Sequence, residues 1–497
     1  MKKFKISVLC VLLAAAMTIT VFALEHRGST DGTFQTDSGY MTAENLALQK
    51  GGEAVEKLTD GDASTALTSS RKRDVYFDID LGSVQPINCI ILKEKGLNIR
   101  SFSLLVSEDG TQYQTVYKGD KIEYHRLCTF DTVSARYVRV FVHEADRFFQ
   151  LKEVEVYFQP QVENNTFRNT AYVLSSDFST ILQDAYLSDA ERNAAVREML
   201  EGYNFAALTH VNFYCGVSFD SNGTVFVGSP DGDGQQAVRE LAYMVDCMRT
   251  FGNPNLKITY VIGIGSGNPA TNPAMDANRE AFIGNLIALA NQAGFDGIDI
   301  DYEFPQSDYD YQVFGDFLIA LKARMTAEMN VGEACILSCA FGTRDINYPA
   351  EVVEAIDIVN MMTYDIFDTD GQHASFWSVV QGAKYLESIG FSKAQINIGT
   401  PFYGTQTDAL MEQYIYKDIA APDYYENTYT VASYLDNSPT QVYFNSPAMV
   451  RDKTAYALLA GYGGVMIWHF SCDTAYSSEN SLWRAVNTAV EQFGGAQ

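Results

Sequence analysis

The chain runs to 497 residues, which at roughly 150 residues per domain excludes a single small module and leaves room for a barrel of about 250 residues beside a second domain. Its 62 Asp and Glu against 35 Lys and Arg give a formal net charge of −27, so a nucleic-acid backbone or an anionic lipid surface would repel it. With 47% hydrophobic and 20% charged residues, the composition supports a large core and excludes wholesale disorder.

Residues 1–24 place Lys2, Lys3 and Lys5 ahead of an apolar run from Ile6 to Leu24 that ends with Ala23 where a signal peptidase wants a small residue. That order reads as an export signal, so the chain is expected to be secreted, extracellular or cell-surface associated, with no other membrane segment. The run is just long enough to span a bilayer, which makes an uncleaved anchor the alternative. Residues 25–42 are polar and rich in Gly, Ser and Thr, and read as a tether. Apart from Cys10, seven cysteines are scattered with no CxxC pair. They form neither a disulfide framework nor a zinc site, and one pairing, Cys89 with Cys128, is left open.

Between 43 and 158 the runs VYFDIDLG, INCIILKE, FSLLVSEDG, YQTVYKG, RYVRVFVHE and VEVYFQP are separated by polar turns. Short strands at regular spacing predict an all-β sandwich. After Gln159-Pro160 the pattern changes. Over 168–497, eight apolar runs from TAYVLSS to GGVMIWHFS alternate with amphipathic segments, such as Phe282, Leu286, Leu289 and Ala293 closed by Gly294. This predicts the α/β class and a (β/α)8 TIM barrel, whose chemistry sits at the C-terminal ends of its strands. The short interval from Gly404 to Gln441 predicts no added α+β lobe and a shallow groove.

The run Phe295-Asp296-Gly297-Ile298-Asp299-Ile300-Asp301-Tyr302-Glu303-Phe304-Pro305 carries the chemistry. Alternation puts Asp299, Asp301 and Glu303 on one face of a strand, with Asp296 out of phase. Carboxylates about 6.6 Å apart at an effective dielectric near 20 repel by about 2.5 kcal/mol, so the three retain a proton at neutral pH. Held by the outermost Glu303, that proton makes a general acid. A cage of oxygen ligands for a metal is the other use of such a cluster, but the neighbouring strand ends offer aromatics and amides more than ligands, and catalysis needs no cofactor.

DGIDIDYE resembles the DxxDxDxE signature of glycoside hydrolase family 18, the chitinases and endo-β-N-acetylglucosaminidases. The resemblance extends in order through LTHVNF at 208–213, MTYD at 362–365, PFYG at 401–404 and GGVMIWHFSCD at 463–473. It implies retaining, substrate-assisted hydrolysis, which departs from the two-carboxylate scheme of most glycosidases. Glu303 would protonate the glycosidic oxygen, Asp301 would orient the substrate's 2-acetamido group, and Asp299 would support Asp301. Asp296 would be structural. Tyr364 and Asp365 would hold the acetamido group, Tyr403 and Tyr172 would line the same subsite, and Trp468 would form its floor. The chain departs from the family's SxGG at the third strand, where Gly263 removes the hydroxyl that supports the central aspartate and predicts lowered activity or a shifted pH response.

The N-terminal block resembles the discoidin (coagulation factor 5/8 type C) fold and carbohydrate-binding module family 32, on LTDGDAST at 58–65, DIDLG at 78–82, VSEDG at 106–110, ARYVRV at 135–140 and EVEVYF at 153–158. Asp60, Asp62, Thr65 and Glu153 resemble that family's positions for a structural calcium, though an acidic turn capping a strand reads equally well. Phe148, Phe149, His125 and Arg71 are ligand-contact guesses. The combined expectation is a secreted endo-acting hydrolase of β-1,4-linked N-acetylglucosamine, acting on chitin or related glycans. The alternatives are an endo-β-N-acetylglucosaminidase cutting the chitobiose core of N-glycans, and a non-catalytic chitin-binding lectin.

Overall fold

The computed structural model describes residues 38–494 apart from 165, 183–186, 230, 344–345, 347, 369–370, 407–412, 420–422 and 434–435. The export signal and most of the tether lie outside the described residues. No helix among the described residues is long and apolar enough to cross a membrane.

The N-terminal domain is built on a six-stranded antiparallel sheet. Two of the expected runs, VYFDIDLG and INCIILKE, prove to be one strand of 22 residues, Arg73–Glu94, paired with Arg126–Ala145. The ladder slips between Asp80 and Gln85 and again between Ile87 and Cys89, and such bulges bend a strand without ending it. Gly82, at φ +88, sits in the first slip, where its turn-like signature makes one strand read as two. Ile79, Ile90, Leu92, Leu104, Val138 and Phe149 are fully buried in the core this sheet encloses. Cys89 and Cys128 are buried and free. Ile90 stands opposite Cys128, so Cys89 points to the other face of the sheet, and the pairing left open by the sequence does not form.

All eight expected barrel strands are present: β1 (Arg168–Leu174), β2 (His210–Phe219), β3 (Lys257–Gly265), β4 (Gly297–Glu303), β5 (Ile336–Phe341), β6 (Ile358–Met361), β7 (Ile396–Pro401) and β8 (Gly464–Trp468). Each pairs in parallel with the next, and β8 returns to β1, so the ring is closed. The helix Arg279–Ala293 buries Phe282, Leu286, Leu289 and Ala293 and ends at Gly294 in the left-handed region, φ +78, a cap that glycine adopts without strain. After β7, where the sequence predicts no added lobe, the short strands Tyr403–Thr405, Gln413–Ile415, Thr428–Ala432 and Pro439–Tyr443 form a small antiparallel sheet. Strands of three to five residues carry too few side chains to show a period of two.

The two domains meet along a buried, charged seam. All 13 residues of the Pro447–Leu459 helix are buried, because it packs on the barrel by one side and on the N-terminal sheet by the other. Asp452 accepts hydrogen bonds from Tyr117 Oη (2.6 Å), Thr129 N (2.8 Å) and Thr129 Oγ1 (2.7 Å), with the Arg126 guanidinium 3.5 Å away. His125 is buried at this seam, its ring stacked on Phe376. With Phe149 in the core, neither is placed as a surface ligand contact; Phe148 and Arg71 are exposed.

Candidate active site

The pleat of β4 sorts its residues as the alternation requires. Ile298, Ile300 and Tyr302 join the hydrophobic layer under the helices, which leaves Asp299, Asp301 and Glu303 for the barrel interior and mouth. Asp299 is deepest and wholly buried, and accepts from Tyr172 Oη of β1 (2.7 Å), Ser338 Oγ of β5 (2.5 Å) and Asn360 Nδ2 of β6 (3.1 Å). Burial raises its pKa while those donors oppose the rise. One pleat higher, Asp301 is 8% exposed and its Oδ1 has no hydrogen-bond partner among the described residues. Burial, then Glu303, then Asp299 push its pKa well above the usual carboxylate range.

Glu303 ends the strand. Burial first, then the negative Asp365, raise its pKa, and a hydrogen bond with Asp301 works the other way. Asp301 and Glu303 thus sit side by side on one face of the strand, each held above the ordinary carboxylate range. Both groups therefore resist ionising, as the sequence reading expects of neighbouring carboxylates on this strand. Asp296 lies at the far end of the strand and binds Arg249 Nη2 (2.7 Å) and the backbone N–H of Ile258 (2.8 Å). It fastens β4 to β3 and takes no part in the mouth.

Tyr364 and Asp365 follow β6. Asp365 sits at φ +56, accepts from Tyr403 Oη (2.6 Å) and donates its backbone N–H to His373 Nε2 (2.8 Å). Burial lowers the His373 pKa, so the neutral ring is free to accept. Trp468, at the end of β8, packs edge-on against Tyr172 and Tyr214 with ring centroids 5.1 and 6.2 Å away. Tyr172, expected to line the sugar subsite beside Tyr403, is 1% exposed and commits its hydroxyl to Asp299.

Gly263 pairs with Asp301 across β3 and β4. A Cβ at this position would overlap the Tyr214 hydroxyl and lie 3.0 Å from its Cζ. The volume of the absent serine is thus filled by a phenol from β2, whose pKa is raised to about 12 by burial and then by Asp301 and Glu303. The sequence reading missed Tyr214, Ser338, Asn360 and His373. For Ser338 and Asn360 a signal existed, a lone polar residue inside the apolar runs ILSCAF and IVNM; nothing in the sequence marks Tyr214 or His373.

In the N-terminal domain, Thr65 Oγ1 donates to Asp60 Oδ2 (2.9 Å) and Asp62 N to Asp60 Oδ1 (2.9 Å). Glu153 is 2% exposed with both carboxylate oxygens unpartnered among the described residues, and burial followed by Asp60 raises its pKa to about 8. The described residues present no cluster of three or more His, Cys, Asp or Glu around one point. The donor set of carboxylate, hydroxyl and orphaned Glu153 oxygens nonetheless suits a hard cation such as calcium, which takes oxygen ligands of every kind.

The family model described as glycosyl hydrolases family 18 matches residues 185–473, and that of the F5/8 type C domain matches residues 40–154. A probable endochitinase of Caenorhabditis elegans is 24% identical over 277 residues, 45% of this chain and 45% of its own length. Chitinase A1 of Niallia circulans is 24% identical over 297 residues, 46% of this chain and 42% of its own. The chain thus spans less than half the length of either relative. A chitinase crystal structure from Bacteroides thetaiotaomicron aligns with a TM-score of 0.50 at 20% identity, over 67% of this chain and 99% of that one, a likeness of fold.

Proposed function

Because the chain belongs to glycosyl hydrolases family 18, a family of glycosidases, and carries an F5/8 type C domain ahead of the barrel, we propose that it cleaves β-1,4-linked N-acetylglucosamine polymers, chitin and its oligosaccharides. The observation that carries this reading is the placement of Asp301 and Glu303 on one face of β4 above the triply held Asp299. Glu303, whose carboxyl is held protonated by burial, donates its proton to the glycosidic oxygen, so the leaving sugar departs as an alcohol. The carbonyl oxygen of the substrate's own acetamido group attacks C1 as that bond breaks, giving a cyclic oxazolinium ion. Asp301 faces that cation and accepts from its N–H, while Tyr403 and Asp365, already hydrogen-bonded to each other, hold the acetamido group in line. Water then adds to C1, with Glu303 taking its proton.

Asp299 is the fixed point of the scheme: its donors come from three strands, so it orients Asp301 without needing to titrate. Trp468 offers an aromatic face to the ring of the bound sugar. No cofactor enters the reaction. The leader at 1–24 is read as directing export, and the N-terminal domain as adding a glycan contact.

The test is product analysis by mass spectrometry with the full chain and its Glu303→Gln variant. Di- and trisaccharides from chitopentaose, lost by about 10²-fold or more in the variant, are the expected result. Substantial residual turnover in Glu303→Gln would mean that the acid is misassigned. Release of an N-glycan leaving one N-acetylglucosamine on a glycoprotein would move the assignment to an endo-β-N-acetylglucosaminidase.

A further inference from the structure

Asp365, which holds the acetamido group in the proposed reaction, stands outside the barrel strands. β6 ends at Met361, and Asp365 lies beyond it at φ +56 with its side chain 38% exposed. A residue with a Cβ occupies that left-handed region only where its surroundings hold it there. The holding group is the fully buried His373. Its Nε2 accepts the Asp365 backbone N–H (2.8 Å), and its ring packs against Phe367 and Tyr403, with centroids 5.4 and 5.3 Å away. The chain doubles back to bring the two residues together. Ala374 N donates to Ile366 O (2.9 Å), Asp368 N donates to Gln372 O (3.0 Å), and Phe367 forms an antiparallel bridge with His373. Any displacement of the returning limb, 371–374, is therefore passed to Asp365 by His373.

Both domains hold these limbs. From the barrel, Lys453 Nζ (2.7 Å) and Asn445 Nδ2 (3.2 Å) donate to Ala374 O. From the N-terminal domain comes the segment 120–125, between its strands Gln114–Gly119 and Arg126–Ala145. Lys121 Nζ meets Asp368 Oδ2 at 3.0 Å, and the two side chains are only 11% and 14% exposed, so salt screens this pair far less than one at the surface. Asp120 Oδ2 accepts from Gln372 Nε2 (3.4 Å). Glu123, 1% exposed, accepts the Trp377 backbone N–H (2.6 Å), one of the donors that the first turn of the helix Phe376–Ile389 leaves without an intrahelical partner. One short segment thus grips the outgoing limb, the returning limb and the helix that follows them.

We infer that Lys121 of the N-terminal domain is a positioning residue for the reaction: its bridge to Asp368, with Asp120 and Glu123 anchoring the segment on either side, holds the chain that follows β6 and, through His373, sets Asp365 against Tyr403. The N-terminal domain is then part of the catalytic unit as well as a glycan contact. Asp365 and Tyr403 are already 2.6 Å apart, and their task is to align the acetamido carbonyl with C1. Alignment governs the rate of attack more than the binding of substrate, so loss of the bridge should lower kcat and leave KM nearly unchanged. The kinetic readout rests on the proposed reaction, whereas the hold on the loop does not.

The test compares the full-length chain with Lys121→Met, Asp368→Asn, their combination and Lys121→Arg. It reads kcat and KM on chitopentaose, Tm by calorimetry, and hydrogen exchange by mass spectrometry in the peptide that carries Asp365 and His373. Lys121→Met and Asp368→Asn should each lower kcat about 10-fold with KM changed less than about 2-fold, and should speed exchange in that peptide. The combination should be no worse than either alone, because both remove the same bridge. Lys121→Arg, which keeps the charge, should recover most of the kcat that Lys121→Met loses. Asp368→Asn retains the oxygen that accepts the Gln372 backbone N–H, so it decides the question if Lys121→Met melts early. Wild-type kcat and exchange in the single variants, or equal losses in Lys121→Met and Lys121→Arg, would overturn the proposal and leave the bridge as a fastener between domains. If the wild type releases no products from chitopentaose, the proposed function fails, and exchange in the Asp365 peptide alone then decides the positioning.

Discussion

Gly263→Ser restores the hydroxyl that family resemblance finds missing, and the structure says that it will harm the protein. The new Cβ would overlap the Tyr214 hydroxyl, and Cζ would still be 3.0 Å away. The phenol cannot swing freely, because its ring is packed edge-on against Trp468 and is part of the small cluster around Tyr172, Val261 and Met466. Forcing extra atoms into such a site costs about 1–3 kcal/mol. With an unfolding entropy of about 2.1 cal/mol/K per residue over a barrel of roughly 300 residues, that is a fall in Tm of roughly 2–5 °C. Activity should fall too, since the displaced ring borders Asp301 and Glu303. The double variant Gly263→Ser/Tyr214→Phe removes the overlapping hydroxyl, leaves the tight Cζ contact, and should recover more than half of the lost Tm. Differential scanning calorimetry with kcat/KM on a chitooligosaccharide reads both quantities. If Gly263→Ser raises kcat/KM and leaves Tm unchanged, the space is not filled by Tyr214 and the reasoning fails.

Asp365→Asn removes the negative charge that helps to raise the Glu303 pKa; because activity is lost as pH rises through that raised pKa, the alkaline limb of kcat/KM should move to lower pH, and a limb that stays in place or moves up would contradict the assignment. Asp452→Ala leaves Arg126, buried with it at the seam, without its charge partner, and denaturant unfolding should show a loss of about 3–5 kcal/mol; a loss under about 1 kcal/mol would mean the seam contributes little. Calcium at 100 times its Kd should stabilise the N-terminal domain by about 2.7 kcal/mol, and Glu153→Gln should abolish the shift; melting curves that do not respond to calcium would leave the cation site without support. Glu94 and Glu123 each have pKa values raised to about 7 by burial, so the stability they contribute is present below the unfolded value near 4.5 and is lost as pH rises toward 7; Tm should decline across that window, and a Tm that rises would reverse the sign.

How much was legible depended on how far along the chain the relevant contacts reach. Alternation within seven residues was enough to place Asp299, Asp301 and Glu303 on one face of β4, because a strand's period of two is a local property of the backbone. The eight strand runs and the Gly294 cap were local in the same sense. The rise in the Glu303 and Asp301 pKa values was not, since it depends on Asp365 from the loop after β6 and on the depth of burial of Asp301. Nor were the donors to Asp299, which lie 39, 61 and 127 residues away in the chain. Gly263 shows the limit most plainly: read alone it is a loss, and only beside Tyr214, brought next to it by the β2–β3 pairing, is it an exchange of volume between neighbouring strands.

The sequence by itself determined the two-domain order, the barrel with its acidic strand, and the family to which that strand belongs, because each of these is written in periodicity, spacing or a motif of a few residues. Tertiary structure alone decided that Tyr172 donates its hydroxyl to Asp299, that Cys89 and Cys128 face apart, and that the domains are locked through Asp452 and Arg126. These are matters of which side chains meet after more than 35 residues of intervening chain, and burial sets the strength of every charge involved. No local pattern in the chain carries that information.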